Sequence, residues 1–264
     1  MNILMRELKA NLKSLIIWAV IVSLLVWVGV SKFSAYYNNP EMLAILDAMP
    51  QAMLDAFSLK ALDLTTVSGF FGLMFTYFAL LLGIAAAMWG SDIISKEERD
   101  KTVEFALTLP VTRSRVVTAK TLAALVNCIA LLLITWGASL LSAQPYAPDA
   151  RFYRFLALLM LAVFILELVF LAVGIFLGCA MKRYKVAGAV AVSLLLGTYF
   201  LSVISALSQD LDWLKYFSPF KYFDAVKLLN ESSLDLVFVG LSLAIIVLSM
   251  AGAYLTYARR DLYI

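Results

Sequence analysis

The chain has 264 residues, of which 63% are hydrophobic and only 15% are charged, and its mean hydropathy is +0.92. Soluble domains carry about 25% charged residues, so this composition excludes a water-soluble globule. The sequence has no histidine, and both cysteines lie in apolar stretches, which excludes zinc motifs, imidazole catalysis and a disulfide framework. The net charge of +3 is too small and too dispersed to indicate nucleic-acid binding.

Six charge-poor stretches are long enough to cross a membrane, because a hydrocarbon core of about 30 Å needs about 20 helical residues. We therefore predict an all-α polytopic membrane protein, a single transmembrane domain with six transmembrane helices. The spans are expected at about 14–30, 67–90, 116–141, 155–181, 186–207 and 236–258. The first is the shortest, and we expect it to lengthen toward Tyr37 while Lys32 reaches to the interface.

The distribution of basic residues predicts the orientation of the chain. If both termini lie on one side, that side holds 14 of the 21 Lys and Arg residues, whereas the other side holds seven, together with ten of the 18 acids. Cytoplasmic loops are enriched in Lys and Arg. Both termini are therefore predicted to be cytoplasmic, in a multi-pass protein of the plasma membrane.

Residues 1–13 are predicted to form an amphipathic helix that lies along the inner membrane surface. Its apolar and basic faces are formed by Ile3, Leu4, Leu8 and Leu12 on one side and Arg6, Lys9 and Lys13 on the other. A cleaved signal peptide is the alternative, but the apolar run that follows is long for one and no clear cleavage pattern follows it.

The segment before the last span, residues 208–235, is expected on the outer side. Its aromatic and basic stretch 213–223 is too apolar for a solvated loop and too charged to span. This composition predicts re-entrant or interfacial helices that turn at Pro219. The alternative is an aromatic belt that serves only as an anchor.

The connection between the second and third spans, residues 91–115, gathers five acids and five bases. Asp92 and Lys96, and likewise Glu97 and Lys101, have the acid-first i,i+4 spacing that stabilises a helix. Apolar positions accompany these charges, beginning at Ile93 and Ile94 and continuing through 103–109. We predict a helix outside the membrane that offers a charged, partly apolar surface to a cytoplasmic partner. A solvated hairpin is the alternative.

This predicted helix should end at Pro110, and either Thr112 or Ser114 is suited to cap the helix that leads into the third span.

Residues 94–113, ISKEERDKTVEFALTLPVTR, resemble a pattern of type 2 ATP-binding-cassette (ABC) exporter permeases. In that family a glutamate and a basic residue precede Thr-x-Glu, an apolar run and then Leu-Pro-Val-Ser/Thr-Arg. The resemblance extends to the amphipathic N-terminus, the six spans, Ser-Pro-Phe at 218–220 and Arg-Arg-Asp-Leu at 259–262. Only the 94–113 stretch is specific, and it does not identify a substrate.

The resemblance implies a division of labour between subunits. In such exporters the first cytoplasmic loop is a coupling helix that docks on a separate ATPase, and two permease subunits, identical or homologous, form one pathway. A bacterial plasma membrane is the implied location. The matching positions in this chain are Glu97, Glu98, Arg99, Thr102, Glu104 and Pro110.

The chain offers no ATP-binding loop of its own, because neither Lys-Thr pair, at 101–102 and 120–121, follows a glycine. We therefore expect no catalytic residue, metal or cofactor in this chain, and ATP and Mg on the partner ATPase.

Glu167 is the exceptional residue within the spans. It lies about 12 residues into the fourth span, or roughly 18 Å, where uncompensated ionisation costs on the order of 3 kcal/mol or more. Gly174 and Gly178 follow on nearly the same stripe in a close-packing pattern. We predict that these three residues, with Asn127, line the pathway or a helix interface. The alternative is a neutral carboxyl hydrogen-bonded to a nearby Ser, Thr or Asn127.

The expected function is the permease subunit of an ATP-driven exporter of a hydrophobic or amphipathic substrate, such as a lipid, peptide or drug. Its expected partners are cytoplasmic ABC ATPase subunits, a second permease and membrane lipid, without nucleic acid. A proton-coupled carrier built around Glu167 is one alternative. An intramembrane enzyme acting on lipid is another, although the spans offer no catalytic set for it.

Overall fold

A computed structural model describes residues 3–37, 39, 50, 54, 62–99, 112–181, 184–207 and 209–259. The side chains of 97–99, 184, 185 and 209 are outside this description. The described residues form helices joined by turns and contain no strand. The predicted all-α class is confirmed.

Seven α-helices follow one another in the described part of the chain: α1 (Ile3–Phe33), α2 (Val67–Arg99), α3 (Arg113–Ala143), α4 (Ala150–Ala180), α5 (Tyr184–Leu207), α6 (Ala225–Glu231) and α7 (Leu236–Arg259). Short 3-10 helices cover Gln144–Tyr146, Gln209–Phe217 and Pro219–Lys221. All of the α-helices except α6 are long and apolar enough to cross a membrane, which confirms the six predicted spans.

The six long helices alternate in direction, so the bundle has two ends. At one end α1, α3 and α5 begin and α2, α4 and α7 finish; we call it the termini end, and we call the opposite end the far end. The centre is formed by α4, which packs on α2, α3, α5 and α7. Because α2 and α4 run in the same direction, one long contact between them extends through the bundle.

The N-terminus differs from its prediction. Residues 3–13 are not a separate helix, because α1 continues unbroken from Ile3 to Phe33. The sequence reason is the absence of any proline in this range, since the only potential breaker, Gly29, lies close to its end. The predicted faces also differ, because Glu7 and Asn11 are buried whereas Leu12 is about half exposed.

The second helix also continues beyond its predicted boundary at residue 90, to Arg99. Ile93 and Ile94, which we assigned to a partner-binding surface, are instead buried inside the protein. Their role in that surface was wrongly predicted, because α3 and α4 pack on this part of α2. The rest of the proposed coupling segment, residues 100–111, lies outside the described residues.

Helix α3 begins with a cap that the sequence indicated. The Thr112 hydroxyl accepts a hydrogen bond from the backbone N–H of Arg115 at 3.4 Å, which makes Thr112 rather than Ser114 the capping residue. A capping hydroxyl satisfies a donor that has no partner in the first turn.

Candidate coupling and transport sites

The six predicted coupling positions lie at or beyond the end of α2. Glu97, Glu98 and Arg99 form the last helical positions, but their side chains are outside the described set. Thr102, Glu104 and Pro110 belong to the stretch that is not described. The role of all six in ATPase coupling therefore stays a prediction, while the residues on either side of the stretch are well defined.

The flank that precedes this stretch is tied to α1. The Lys96 Nζ lies 3.6 Å from the Glu7 Oε2, and the Arg6 Nη2 donates to the Glu7 Oε1 at 3.2 Å. The Glu7 side chain is only 2% exposed and that of Lys96 is 20% exposed. This contact joins the start of α1 to the end of α2. The pair stabilises this junction because a buried charge is costly without its partner.

The flank that follows the stretch is tied to α7. The Arg113 Nη1 donates to the backbone carbonyls of Tyr257 and Ala258, at 3.3 and 3.2 Å. The last carbonyls of a helix have no partner within it, and a cation there also complements the helix dipole. One turn further along α3, the Thr118 and Tyr254 hydroxyls lie 2.8 Å apart. The start of α3 is thereby joined to the end of α7.

Two further contacts complete what we call the termini-end network, which also includes the Glu7–Lys96 pair and the bonds of Arg113. The buried Lys120 ammonium of α3 donates to the Ile93 carbonyl of α2. The Trp89 Nε1 of α2 donates to the Ser14 Oγ of α1 at 2.9 Å. Sequence reasoning missed this network, although a lone glutamate among the basic residues of 1–13 was a signal that it needed a partner.

Gly174 and Gly178 lie where α4 meets α2. A Cβ added to Gly174 would be 2.5 Å from the Ala87 carbonyl oxygen, and one added to Gly178 would be 2.8 Å from that of Ser91. Gly90 makes the reciprocal approach from α2, since its Cβ would be 2.5 Å from the Leu171 carbonyl oxygen. Real Cβ atoms do not approach backbone so closely, so these glycines let the two backbones touch.

Glu167 is fully buried in the centre of α4, and neither carboxylate oxygen has a hydrogen-bond partner among the described residues. The amide nitrogen of the buried Asn127 also lacks one there. The hydrogen bond to Ser, Thr or Asn127 that the sequence offered as an alternative is therefore not formed.

A cavity of about 80 Å³ opens in the far half of the bundle, between α2, α5 and the segment 219–226. Its polar lining comes from Thr76, Tyr199, Ser202, Lys221 and Asp224. Glu167 and Asn127 are not among the lining residues. Sequence reasoning did not find this site, because it assigned segment 208–235 to the membrane surface without a partner helix.

The segment before α6 is held against the spans by specific contacts. The Ser218 Oγ donates to the Thr198 carbonyl of α5 at 2.7 Å. The Phe220 ring then lies between α4 and α5, with its centroid 5.3 Å from that of Phe170 and 5.5 Å from that of Tyr199. The break in the 3-10 structure falls at Ser218, directly before the predicted turning point at Pro219.

These features define a multi-pass helical membrane protein with a tightly packed centre. At its termini end, hydrogen bonds and an ion pair join the helices. Residues 1–262 match the sequence model of a family described as ABC-2 family transporter protein. The chain therefore belongs to the ABC-2 transporter family, whose members are membrane transport subunits that associate with ABC ATPases. Comparison with curated proteins finds no significant match.

Proposed function

We propose that this permease exports a hydrophobic or amphipathic substrate with ATP that a separate ABC ATPase hydrolyses. The ATPase binds at the termini end, which is the cytoplasmic end of the bundle. The observation that carries this proposal is the attachment of both flanks of residues 100–111. Lys96 joins the first flank to α1, and Arg113 joins the second to α7.

This attachment gives a docked ATPase a route into the membrane. A movement of the 100–111 segment would pull on Lys96 and Arg113, and so on the first and last helices of the chain. The close contact of α2 with α4 at Gly90 and Gly174 makes these two helices move together. Rigid movement of packed helices is an established way to carry such a change through a protein.

Two permease subunits, identical or homologous, would form the pathway, and ATP and Mg would bind the ATPase. The predicted docking residues are Glu97, Glu98, Arg99, Thr102, Glu104 and Pro110. The basic residues of the termini end support its cytoplasmic assignment, because the loops and terminal segments there together carry 14 of the chain's 21 Lys and Arg residues.

The proposal is tested by purifying the tagged full-length chain from membranes of its own host. We expect an ATPase with a phosphate-binding loop to copurify, identified by mass spectrometry and by ATP hydrolysis. The double variant Glu98→Ala, Arg99→Ala should lose at least 90% of the bound ATPase while keeping the monodisperse elution of the wild type. The matched control is Asp212→Ala, Lys215→Ala, which removes a charge pair at the far end and should keep the ATPase.

Retention of the ATPase by the double variant, and also by a chain in which Gly and Ser replace residues 100–111, would contradict docking at this segment. Transport into vesicles that needs no ATPase but collapses with the proton gradient would contradict ATP-driven export.

A further inference from the structure

We propose that the cavity between α2, α5 and segment 219–226 binds the phosphate-bearing headgroup of an anionic amphiphile, and that Lys221 recognises it. This inference rests on the proposed export function for its meaning, because it assigns a substrate class to the permease. Its test, however, does not involve the ATPase.

Lys221 is the basic residue in the lining of this cavity. Its segment is fixed to α5 at Thr198, nine residues before that helix ends at Leu207, or about 14 Å at 1.5 Å per residue. The Lys221 side chain is half-buried and lines the cavity. Its ammonium group has no hydrogen bond or ion pair within the described part of the chain. A cation in a cavity without a partner from the protein is available to bind an anion.

The two other lysines of the far-end segment have different surroundings. The Lys215 Nζ lies 2.5 Å from the Asp212 Oδ2, and this exposed pair satisfies it. Lys227 of α6 is exposed, and it lines a separate cavity whose lining also contains the carboxylates of Asp224, Glu231 and Asp235. Lys221 is therefore the lysine of this segment that lines the cavity between α2, α5 and segment 219–226.

Asp224 accepts a hydrogen bond from the backbone N–H of Val226 at 2.8 Å, so the carboxylate is fixed as the cap of α6. Asp224 lines the same cavity as Lys221. A headgroup that carries hydroxyl groups next to its phosphate would satisfy both residues. A phosphodiester with a glycerol or sugar hydroxyl has this combination.

The rest of the lining suits the beginning of a hydrocarbon chain. The apolar lining of the cavity includes Phe75 and Ala79 from α2, Val203 from α5 and Phe220. A cavity of about 80 Å³ holds several water-sized groups, which is enough for a headgroup but not for a whole lipid. The acyl chains would leave along the membrane face of α5, where Phe200 and Ile204 are exposed.

The experiment measures binding of dihexanoylphosphatidylglycerol to the purified full-length chain in dodecyl maltoside, by isothermal titration calorimetry. We expect Lys221→Gln to bind at least tenfold more weakly than the wild type and Lys221→Arg to keep most of the affinity. Lys227→Gln is the matched control and should bind like the wild type. Ala79→Leu, which fills the apolar part without touching a charge, should also weaken binding.

Two further titrations identify the ligand chemistry. Inorganic phosphate and an uncharged monoacylglycerol should each bind at least tenfold more weakly than the anionic lipid. Equal affinity of Lys221→Gln and the wild type, or equal losses in the Lys221→Gln and Lys227→Gln variants, would overturn the proposal. Phosphate that binds as tightly as the lipid would overturn the assignment to an amphiphile. None of these results bears on ATPase copurification, so the two proposals fail separately.

Discussion

The two ends of the helical bundle are stabilised by different kinds of contact. At the termini end, ion pairs and hydrogen bonds join neighbouring helices, as in the Glu7–Lys96 pair and the bonds from Arg113 to α7. At the far end, aromatic rings from α1, α2, α4 and the 144–146 turn contact one another. This far-end ring cluster consists of Phe33, Tyr37, Phe70, Phe71, Tyr146 and Phe152.

The different contacts suit the two ends of the bundle to different functions. Hydrogen bonds and ion pairs are directional, so the termini end fixes the relative positions of its helices. Ring contacts tolerate several geometries of similar energy, so the far end is suited to adjusting around a bound molecule. In the proposed exporter the first property transmits movement and the second accommodates substrate.

The largest expected effect comes from breaking the contact that connects the two ends. Gly174→Leu would place a side chain against the Ala87 carbonyl, where even a Cβ would approach to 2.5 Å. Overpacking costs about 1–3 kcal/mol when side chains can move, and backbone cannot move as easily. We expect the variant to lose most of its monodisperse protein in fluorescence-detected size-exclusion chromatography.

Gly240→Leu is the matched control for this substitution, because nothing lies within 4 Å of a Cβ at that position of α7. It should elute like the wild type. Equal behaviour of the two variants would show that α2 and α4 do not approach as closely as described.

A smaller effect is expected from breaking the ion pair of the termini end. Glu7→Ala leaves Lys96 partly buried without its acid, which we expect to cost about 3 kcal/mol, the low end for breaking a buried pair. Thermal unfolding of the purified chain measures this loss. Lys9→Gln, which changes an exposed charge on the same helix, should leave the melting temperature within one degree.

The exchange variant Glu7→Lys, Lys96→Glu tests whether the pair itself matters. It should recover part of the lost stability, because it restores opposite charges at the same positions. A double variant less stable than both single variants would indicate that Glu7 acts through other neighbours.

The sequence predicts the spans well and the contacts between them poorly. Hydropathy identifies six helices because the bilayer requires a long apolar run for each, irrespective of its neighbours. Hydropathy misplaces the end of α2, because Ile93 and Ile94 are equally apolar whether they face a partner protein or the neighbouring helices α3 and α4. The close-packing pattern of Gly174 and Gly178 could be read locally, but the opposing carbonyls of Ala87 and Ser91 come from a distant segment.

Polar residues in apolar surroundings were the most ambiguous. Glu167 stands out in the sequence because an acid within a span is rare, yet neither carboxylate oxygen has a hydrogen-bond partner among the described residues. Glu7 and Lys221 lie in stretches where charges are common, and the only local signal was that Glu7 is a lone acid among basic residues. What distinguishes them is the pairing of Glu7 with Lys96 and the absence of a partner around the Lys221 ammonium in the described chain, and both depend on tertiary structure.

At the far end, a single hydroxyl offers a milder test. The buried Tyr222 donates to the Tyr216 carbonyl at 2.7 Å, and its ring stacks on Phe238 with centroids 5.2 Å apart. Tyr222→Phe keeps the ring and loses the hydrogen bond, so we expect a loss of about 1 kcal/mol in thermal unfolding. Thr198→Val, whose side chain bonds only within its own helix, should cost less.

The same tyrosine gives a pH test. Burial raises the pKa of Tyr222 above its usual value of 10.0. The unfolded chain therefore releases this proton near pH 10 while the folded protein still holds it, so stability falls as the pH rises above 10. Above pH 10 the stability of the wild type should fall more steeply with pH than that of Tyr222→Phe. Below pH 10 the stability curves of the two proteins should be parallel. Parallel curves throughout would show that Tyr222 is not buried in the folded protein.

The smallest effect on stability is expected for Arg113, although it lies on the proposed route of coupling. Arg113→Gln removes exposed bonds to the end of α7, which are worth about 0.5 kcal/mol because water competes for them. The change should appear locally, as faster amide hydrogen exchange in the last turn of α7, while Arg115→Gln leaves that exchange unchanged.

If Arg113 also transmits movement, its loss should lower transport per ATP hydrolysed severalfold without releasing the ATPase. A variant with faster exchange but unchanged transport would leave Arg113 as a helix cap alone, and the route from the ATPase would then have to run through Lys96 and α1.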